Sequence, residues 1–399
     1  MYKLAAKKIL VCPLNWGLGH ATRCVPLIRH FLADGKEVVI AADGYPLSFL
    51  REEFSELTFI EFPSYRITYS KNNSQVWAML RCLPNVVAGI VREHRQLKKI
   101  VAEHQIDCVL SDNRFGLWHK GVHSIYMTHQ LMIKMPRGLR LFEPFAWLIH
   151  RFFINKYDVC LVPDVQGKGA WAGDLTHRYP LPRNARFIGI LSRFSSSCHS
   201  DESQNPLNST CHSDESQNPL NSVCHSDESQ NPLCCEGIAG QARNDRKKQG
   251  IAGQARNDRT PKVLAIISGI EPQRSIFEKI LIEELSKKDF QSLIVCGQPT
   301  AHGLQIRASG EQCTSGNANI VSHLSSEEME FYLRNTPTVI CRSGYSSVMD
   351  LLTLGCTAIL VPTPGQTEQE YLAEYLSKEK GFVCVKQSEL WEYLRKKYC

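Results

Sequence analysis

A histidine and two glycines follow the first apolar segment of the chain, within the stretch LNWGLGHATR at residues 14–23. A glycine-containing turn between a strand and a helix brings backbone N–H groups to the helix N-terminus, which suits an anion or a ligand that approaches the backbone closely. Gly17 and Gly19 supply such a turn, and His20 would stand in the first turn of the helix. An imidazole at that position can accept a proton near neutral pH.

Three loops in the second half of the chain have a similar character. SGIEPQR begins at Ser268, RSGYSS begins at Arg342, and PTPGQTEQE begins at Pro362, each directly after an apolar segment. If these segments are parallel strands, the three loops meet at one edge of a sheet. Two of the loops place Gly and Ser at the start of a helical pattern, an arrangement that suits a diphosphate.

A scaffold of alternating strands and helices must position these loops, and the sequence predicts one in each half. In the first half, strand-like segments at 8–12, 37–42, 57–62, 107–111, 124–128 and 158–162 alternate with helical patterns at 20–34, 75–103 and 142–156. In the second half, strand-like segments at 262–267, 292–296, 319–321, 338–341 and 357–361 alternate with helical patterns at 275–287, 326–334, 345–354, 366–378 and 388–397. The pattern predicts an α/β fold of two doubly wound, Rossmann-like domains facing across a cleft, with the ligand in the cleft.

Near-perfect short repeats separate the two halves. CHSDESQNPL occurs at 198, 211 and 224, and GIAGQARNDR occurs at 237 and 250. Such polar repeats cannot bury enough apolar surface to offset chain entropy, so we predict a disordered, low-complexity insert at 195–259 between domains at 1–194 and 260–399. The adjacent Cys and His of each repeat lack the usual spacing of zinc ligands, and we expect no metal site there.

Composition limits the classes of function. The chain has 399 residues, of which 43% are hydrophobic, and its formal charge of +6 comes from 46 basic and 40 acidic residues spread along it. This charge permits anionic ligands or a membrane surface and does not indicate nucleic-acid binding. No apolar run reaches the ~18 residues of a membrane-spanning helix, and no signal peptide is evident, so we expect a cytoplasmic protein. The 16 cysteines include no CxxC pair and predict reduced core residues.

At the loops described above, the sequence resembles the two-domain nucleotide-sugar glycosyltransferases of the GT-B fold, and in particular glycosyltransferase family 28. LNWGLGHATRCVPLIRHF resembles the family's amino-terminal glycine-rich loop with its terminal histidine. RSGYSSVMDLLTLGCTAILVPTPGQTEQEYLAEYL resembles its donor-binding signature. The likeness covers nearly all of the chain outside the repeats. It implies a transferase that takes a hexose or N-acetylhexosamine from a UDP-sugar.

The resemblance also implies roles for single residues. Asp350 matches the acidic residue that holds the ribose hydroxyls, where the family more often has Glu, and Gln369 matches a glutamine that reads the sugar hydroxyls. Glu370 stands where the peptidoglycan enzyme of the family has a second glutamine, which leaves the identity of the sugar open. With the residues of the loops described above, the candidate donor-binding set is Gly17, Gly19, Ser268, Gly269, Arg274, Arg342, Ser343, Gly344, Tyr345, Asp350, Glu368, Gln369 and Glu370.

Neither a metal nor a cofactor is expected. The chain has no DxD motif, and the resemblance implies that backbone N–H groups of Ser343, Gly344 and Tyr345 bind the donor diphosphate. Together with the helix ends, Arg274 or Arg342 would neutralise the departing diphosphate without a metal ion. We therefore predict a metal-independent reaction.

The family resemblance implies an inverting transfer, which needs a base for the acceptor hydroxyl. His20 is the candidate, because the positive end of a helix disfavours imidazolium and keeps the ring neutral. Asp112 follows the predicted strand at 107–111 and would orient the imidazole, although a loop or cap role explains it equally well. His129 is a candidate acceptor contact, but the sequence favours a histidine packed in a core or loop.

Residues 137–153 are both aromatic and basic. Docking on the inner face of an anionic membrane, to receive a lipid-linked acceptor, would explain the pattern. A helix buried against the sheet explains it as well, and we prefer that interpretation.

The sequence leaves the acceptor and two other functions open. The acceptor is a glycan, a lipid-linked molecule or a small molecule. A UDP-sugar hydrolase or epimerase of the same fold would keep the nucleotide-sugar site and lose the acceptor pocket. A non-catalytic nucleotide-sugar-binding protein is the third possibility.

Overall fold

The computed structural model describes residues 5–64, 75–167, 169–194, 260–298 and 313–398. In this part of the chain, two seven-stranded sheets form, one from each half of the sequence. Both sheets belong to one compact unit. The repeats at 195–259 lie outside the described residues, so the interpretation of that segment stays a prediction.

The first sheet is entirely parallel and has the strand order β3-β2-β1-β4-β5-β6-β7. Its strands are β1 (Lys8–Pro13), β2 (Glu37–Ala42), β3 (Thr58–Glu61), β4 (Cys108–Asp112), β5 (His123–Met127), β6 (Val159–Val162) and β7 (Ala185–Phe187). Its helices are α1 (Leu18–Ala33), α2 (Gly44–Glu53), α3 (Gln75–His104), α4 (Glu143–Ile154) and α5 (Asp174–His177), with a 3-10 turn at Arg137–Phe142. The strand order reverses between β1 and β4, where Pro13 pairs with Asp112, and such a switch point opens a crevice for ligands.

The second sheet has the order β10-β11-β9-β8-β12-β13-β14 and is parallel except for the β10–β11 pair. Its strands are β8 (Val263–Ile266), β9 (Ser292–Val295), β10 (Cys313–Ser315), β11 (Ala318–Val321), β12 (Thr338–Cys341), β13 (Ile359–Leu360) and β14 (Val383–Cys384). Its helices are α6 (Gln273–Leu285), α7 (Ser326–Asn335), α8 (Tyr345–Thr353), α9 (Thr367–Glu379) and α10 (Leu390–Lys397), with a 3-10 turn at Gln387–Glu389. Here the switch point lies between β8 and β12, where Ile266 pairs with Cys341.

The apolar runs of the sequence form the strands because both faces of each sheet are covered. Ile9, Val11, Leu264 and Cys341 belong to one hydrophobic cluster that extends through both halves. The doubly wound α/β prediction is therefore confirmed. Within the described residues, no helix is long and apolar enough to cross a membrane. Among the cysteines whose side chains the structure describes, all eight are free thiols and six are buried: Cys12, Cys24, Cys108, Cys160, Cys296 and Cys341.

Candidate active site

A cavity of about 910 Å³, part of it open to solvent, lies where the two switch points meet. Ten of the predicted site residues line it: Gly17, Gly19, His20, His129, Ser268, Gly269, Gly344, Tyr345, Glu368 and Gln369. The same cavity is lined by Arg23, Asn113, Ser346, Ser347 and Thr363, to which the sequence interpretation gave no role. The two sheet edges thus contribute to one site between the halves.

Two helix N-termini face this cavity. Helix α1 begins after Gly17, whose φ of 84° is in the left-handed region that favours glycine, and helix α8 begins after Gly344. Neither start has a side-chain capping hydrogen bond. The Ser346 hydroxyl donates to the Gly19 carbonyl at 2.7 Å, and a Cβ on Gly19 would lie 3.2 Å from that hydroxyl oxygen. Glycine therefore lets the two positive helix ends approach each other, which makes the cavity wall a site for an anion.

His20 and Asp112 form a buried pair beside the helix ends. His20 Nδ1 lies 3.0 Å from Asp112 Oδ2. The pairing follows from the fold, because Asp112 ends β4 at the switch point and the next residue, Asn113, turns the chain with a φ of 57°. Burial alone would raise the pKa of Asp112, but the charges of Arg23 and His20 outweigh it and lower the pKa to about 2. Asp112 is therefore ionised at neutral pH.

Arg23 completes this cluster and is the main residue that sequence reasoning missed. It lies three residues after His20 on α1, is buried, and donates from Nε to both oxygens of Asp112 at 3.1 and 2.9 Å. Its Nη2 group also contacts Asp112 Oδ1 and lies 2.9 Å from His20 Nδ1. Burial, followed by the positive charge of Arg23, lowers the pKa of His20, so its ring is neutral at pH 7. The i, i+3 spacing on one helix face was the available signal.

His129 connects the cluster to the second half of the chain. Arg23 Nη1 lies 2.6 Å from His129 Nδ1, and His129 Nε2 lies 2.7 Å from Glu368 Oε1. The imidazole also stacks on the Tyr345 ring with centroids 4.6 Å apart. Both ring nitrogens of His129 are thus bonded to protein groups, and Glu368 is bonded to His129 as well as lining the cavity.

The structure does not place the two predicted diphosphate-binding arginines at the cavity. Arg274 pairs with Glu271 and Glu278 and donates to the Cys296 carbonyl. Arg342 donates to the carbonyls of residues 361, 362 and 273, and to the Gln387 side chain. Both guanidinium groups hold loops of the second half together, and neither residue is among those that line the cavity.

Asp350 is also not among the residues that line the cavity. Its Oδ1 accepts from the Ser192 hydroxyl at 2.7 Å, and its Oδ2 lies 3.4 Å from Arg193 Nε. Burial raises the pKa of Asp350 even though Arg193 lowers it. The carboxylate expected to hold a ribose therefore binds the segment that leaves the first half of the chain.

Three other donor-binding candidates form hydrogen bonds with loops of the second half. The Ser343 hydroxyl donates to the Gln369 carbonyl at 2.8 Å. Glu370 accepts from the Gly365 N–H at 2.8 Å, and Gln369 Oε1 accepts from the Thr363 N–H at 2.9 Å. Of these side chains, Gln369 and Thr363 line the cavity. Among the described residues, no cluster of three or more His, Cys, Asp or Glu side chains has the arrangement of a metal site.

Helix α4 exposes apolar side chains that the preferred sequence interpretation placed in the core. Ala146, His150 and Ile154 are buried, but other residues of the segment face solvent. Leu141 is 91% exposed and Phe145 is 62% exposed. The exposed apolar set is Leu141, Phe142, Phe145, Leu148, Ile149 and Phe152, and we call it the α4 face. The interpretation as a helix buried against the sheet is therefore wrong for this set.

Comparisons with known proteins agree with this architecture. Residues 266–398 match the glycosyltransferase family 28 C-terminal domain, and residues 7–129 match a glycosyl transferase family 1 domain. A stretch of 133 residues is 29% identical to UDP-N-acetylglucosamine–N-acetylmuramyl-(pentapeptide) pyrophosphoryl-undecaprenol N-acetylglucosamine transferase of Bacillus licheniformis, and it covers 32% of this chain and 36% of the relative. The same transferase of Listeria welshimeri is 30% identical over 138 residues, covering 33% and 36%. The match thus spans about a third of these relatives' length.

Solved structures match nearly the whole chain at low sequence identity. A spinosyn rhamnosyltransferase superposes with a TM-score of 0.52 at 13% identity, covering 94% of this chain and 86% of that one. A calicheamicin glycosyltransferase superposes with a TM-score of 0.52 at 10% identity, covering 99% and 89%. The chain therefore has the GT-B fold of two facing Rossmann-like domains, and residues 266–398 resemble the C-terminal domain of glycosyltransferase family 28.

Proposed function

We propose that the protein transfers a sugar from a UDP-sugar to an acceptor hydroxyl, with inversion and without a metal ion. One observation carries the proposal: a neutral histidine, backed by an ionised carboxylate, opens onto the same cavity as two uncapped helix N-termini. The histidine supplies a base, and the helix ends supply positive charge for a diphosphate. The transferases of Bacillus and Listeria that resemble about a third of this chain have UDP-N-acetylglucosamine in their names. A spinosyn rhamnosyltransferase of the same fold was solved with thymidine diphosphate.

The proposed reaction is a single displacement. His20 Nε2 takes the proton of the acceptor hydroxyl while the hydroxyl oxygen forms a bond to the anomeric carbon of the sugar. The bond from that carbon to the diphosphate oxygen breaks on the opposite face, and its electron pair leaves with the diphosphate. The N–H groups at the start of α8 stabilise the departing charge, and Asp112 stabilises the imidazolium that forms.

We further propose that the α4 face docks on an anionic membrane surface. Exposed apolar patches of this kind mark interaction sites, and cationic side chains lie beside it: Arg140 precedes the helix, Arg151 lies in its last turn, and Lys156 lies over the Phe152 ring at 4.6 Å. The positive charge of these basic side chains complements the negative charge of an anionic bilayer, and the exposed aromatic side chains can insert at its surface. This docking would bring a lipid-linked acceptor to the enzyme.

The donor site is tested at Gly344, where a new Cβ would meet no atom within 4 Å. Gly344→Asp and Gly344→Asn have the same shape and differ in charge. Calorimetric titration with UDP should give wild-type affinity within about threefold for Gly344→Asn and a loss of at least about tenfold for Gly344→Asp, because a carboxylate at the helix start competes with the diphosphate. Equal affinity of the two variants would contradict a diphosphate at this helix end.

The chemistry is tested at His20. His20→Ala should retain UDP affinity and lose about 10²- to 10⁴-fold in sugar transfer, as expected for removal of a general base. Transfer is followed with a panel of UDP-sugars and lipid-linked or small-molecule acceptors, and with the donor alone. Sugar released equally fast without any acceptor would instead indicate a hydrolase. Transfer that stops when metal ions are chelated would contradict metal independence.

A further inference from the structure

Arg23 occupies the centre of the polar cluster at the cavity. Its guanidinium group contacts Asp112, His20 and His129, and the residue is only 2% exposed. A guanidinium group can only donate hydrogen bonds. Arg23 therefore constrains where the protons of both neighbouring histidines lie.

The constraint is complete at His129. Because a guanidinium group can only donate, Nδ1 accepts from Arg23 Nη1 at 2.6 Å, and Nε2 then carries the proton that is donated to Glu368 Oε1 at 2.7 Å. Both nitrogens are used in this way, which leaves His20 as the imidazole available to accept a substrate proton.

At His20, two arrangements compete for the same nitrogen. Nδ1 lies 2.9 Å from Arg23 Nη2, a donor, and 3.0 Å from Asp112 Oδ2, an acceptor. If Nδ1 accepts from Arg23, the ring proton is on Nε2, and the ring cannot act as a base toward the cavity. If Nδ1 donates to Asp112, Nε2 keeps its lone pair. The Nη2 group also contacts Asp112 Oδ1, which provides it with an acceptor in the second arrangement.

We propose that Arg23 is the positioning residue for His20. By binding both oxygens of Asp112, it holds the carboxylate where Oδ2 accepts a hydrogen bond from His20 Nδ1–H, so that Nε2 faces the cavity as a base. This inference rests on the proposed transferase function. In addition to fixing the tautomer, Arg23 offsets the charge of Asp112, which on its own would favour imidazolium. Among the described residues, His129 after β5 and Glu368 on α9 also interact with His20, and the Cys24 thiol on α1 contacts Asp112 Oδ2.

The test is NMR of the full-length protein labelled with ¹⁵N-histidine, in which ring couplings report the tautomer without any turnover. The His20 signal is identified as the one absent from His20→Gln. In wild type, we expect the neutral ring to carry its proton on Nδ1. In Arg23→Gln, we expect the pKa of His20 to rise by about one unit or more, since the carboxylate then acts unopposed. Arg23→Lys restores the charge and should return the pKa of His20 most of the way to the wild-type value.

Kinetics supply the second measurement. Arg23→Gln should lower kcat at pH 7 by at least about tenfold and shift the acidic limb of the pH profile upward, with the UDP dissociation constant unchanged within about threefold. A wild-type ring protonated on Nε2 would overturn the proposal, as would an unchanged pKa and pH profile in Arg23→Gln. If Arg23→Gln does not fold, the wild-type tautomer and Arg23→Lys decide. If the NMR results are as expected but neither wild type nor any variant transfers a sugar, the transferase function is refuted, whereas the effect of Arg23 on the His20 tautomer stands.

Discussion

His129 Nε2 and Glu368 Oε1 lie 2.7 Å apart and join the loop after β5 in the first half to helix α9 in the second. Burial would raise the pKa of Glu368, but the neighbouring His129 outweighs it, and the pKa is lowered. The Glu368 carboxylate is therefore ionised. The pair stabilises the folded protein above the ordinary pKa of a glutamate, and this stabilisation is lost as the pH falls through the lower pKa that Glu368 has in the folded protein.

Glu368→Ala should lower the free energy of unfolding by about 1.5–3 kcal/mol at pH 7, the range for hydrogen bonds to charged groups. Glu368→Gln keeps an acceptor for the Nε2 proton and should cost less. Urea denaturation measures both. Glu379→Ala, at the exposed end of the same helix, is the matched control and should stay within about 0.5 kcal/mol of wild type. A loss no larger in Glu368→Ala than in this control would contradict a contribution of the pair to joining the halves.

Asp350 allows a second prediction, because its bonds to Ser192 and Arg193 are separate from the ribose role that the family resemblance implies. Asp350→Ala should lower the melting temperature since it removes both bonds, and Ser192→Ala should do so to a smaller extent. Calorimetry with UDP separates the roles. If Asp350 also holds the ribose, Asp350→Ala weakens UDP binding while Ser192→Ala does not. Equal UDP affinity in both variants and wild type would exclude the ribose contact.

Stability should fall in mild acid because of His150. This histidine is buried between the Tyr126 hydroxyl and the Leu131 carbonyl, and burial lowers its pKa to about 4. Between pH 6.5 and pH 4 the unfolded chain binds a proton that the folded protein does not, so stability rises with pH over this window. Across this window, His150 changes the free energy of unfolding by about 3 kcal/mol. Denaturation at several pH values should show a shallower dependence for His150→Gln, whereas His30→Gln, partly exposed on α1, should follow wild type. Equal slopes in all three proteins would contradict the assignment.

Membrane docking predicts binding to vesicles that contain phosphatidylglycerol. Wild type should co-sediment with them and much less with phosphatidylcholine vesicles, because basic residues accompany the α4 face. The double variant Phe145→Ser and Phe152→Ser should weaken binding at least about tenfold, since it removes two exposed aromatic side chains. Ile276→Ser changes an exposed apolar residue of the second half and is the control. Binding that is insensitive to the double variant or to anionic lipid would refute this surface.

The positions of the long strands and helices could be predicted because each buried strand is a continuous apolar run. Elements whose signal is local and weak were missed. Helix α2 starts with Gly44 and contains Pro46 in its first turn, a combination that is typical of a loop. Strand β14 has only two residues, Val383 and Cys384. The order β3-β2-β1-β4 depends on pairing between distant segments and is not encoded in any window of sequence.

Site residues show the same division. His20 could be predicted because the glycine turn and the helix start are adjacent in the chain. The contacts of Arg23 depend on which side chain at the end of β4, 89 residues away, faces α1, and the partner of Asp350 is 158 residues away. Arg342 was predicted at the diphosphate because its loop is at the cavity, but its own side chain points to carbonyls of neighbouring loops. Loop position could be read from the sequence, whereas side-chain direction could not.

The contact between the Ser346 hydroxyl and the Gly19 carbonyl has an electrostatic consequence for the two halves. Each helix start carries about half a positive charge, so α1 and α8 present like charges to each other across a short gap. A diphosphate between them would act as a shared counterion and convert this repulsion into attraction. A bound diphosphate would therefore add to the contacts that already join the halves, such as this hydrogen bond and the pair of His129 and Glu368.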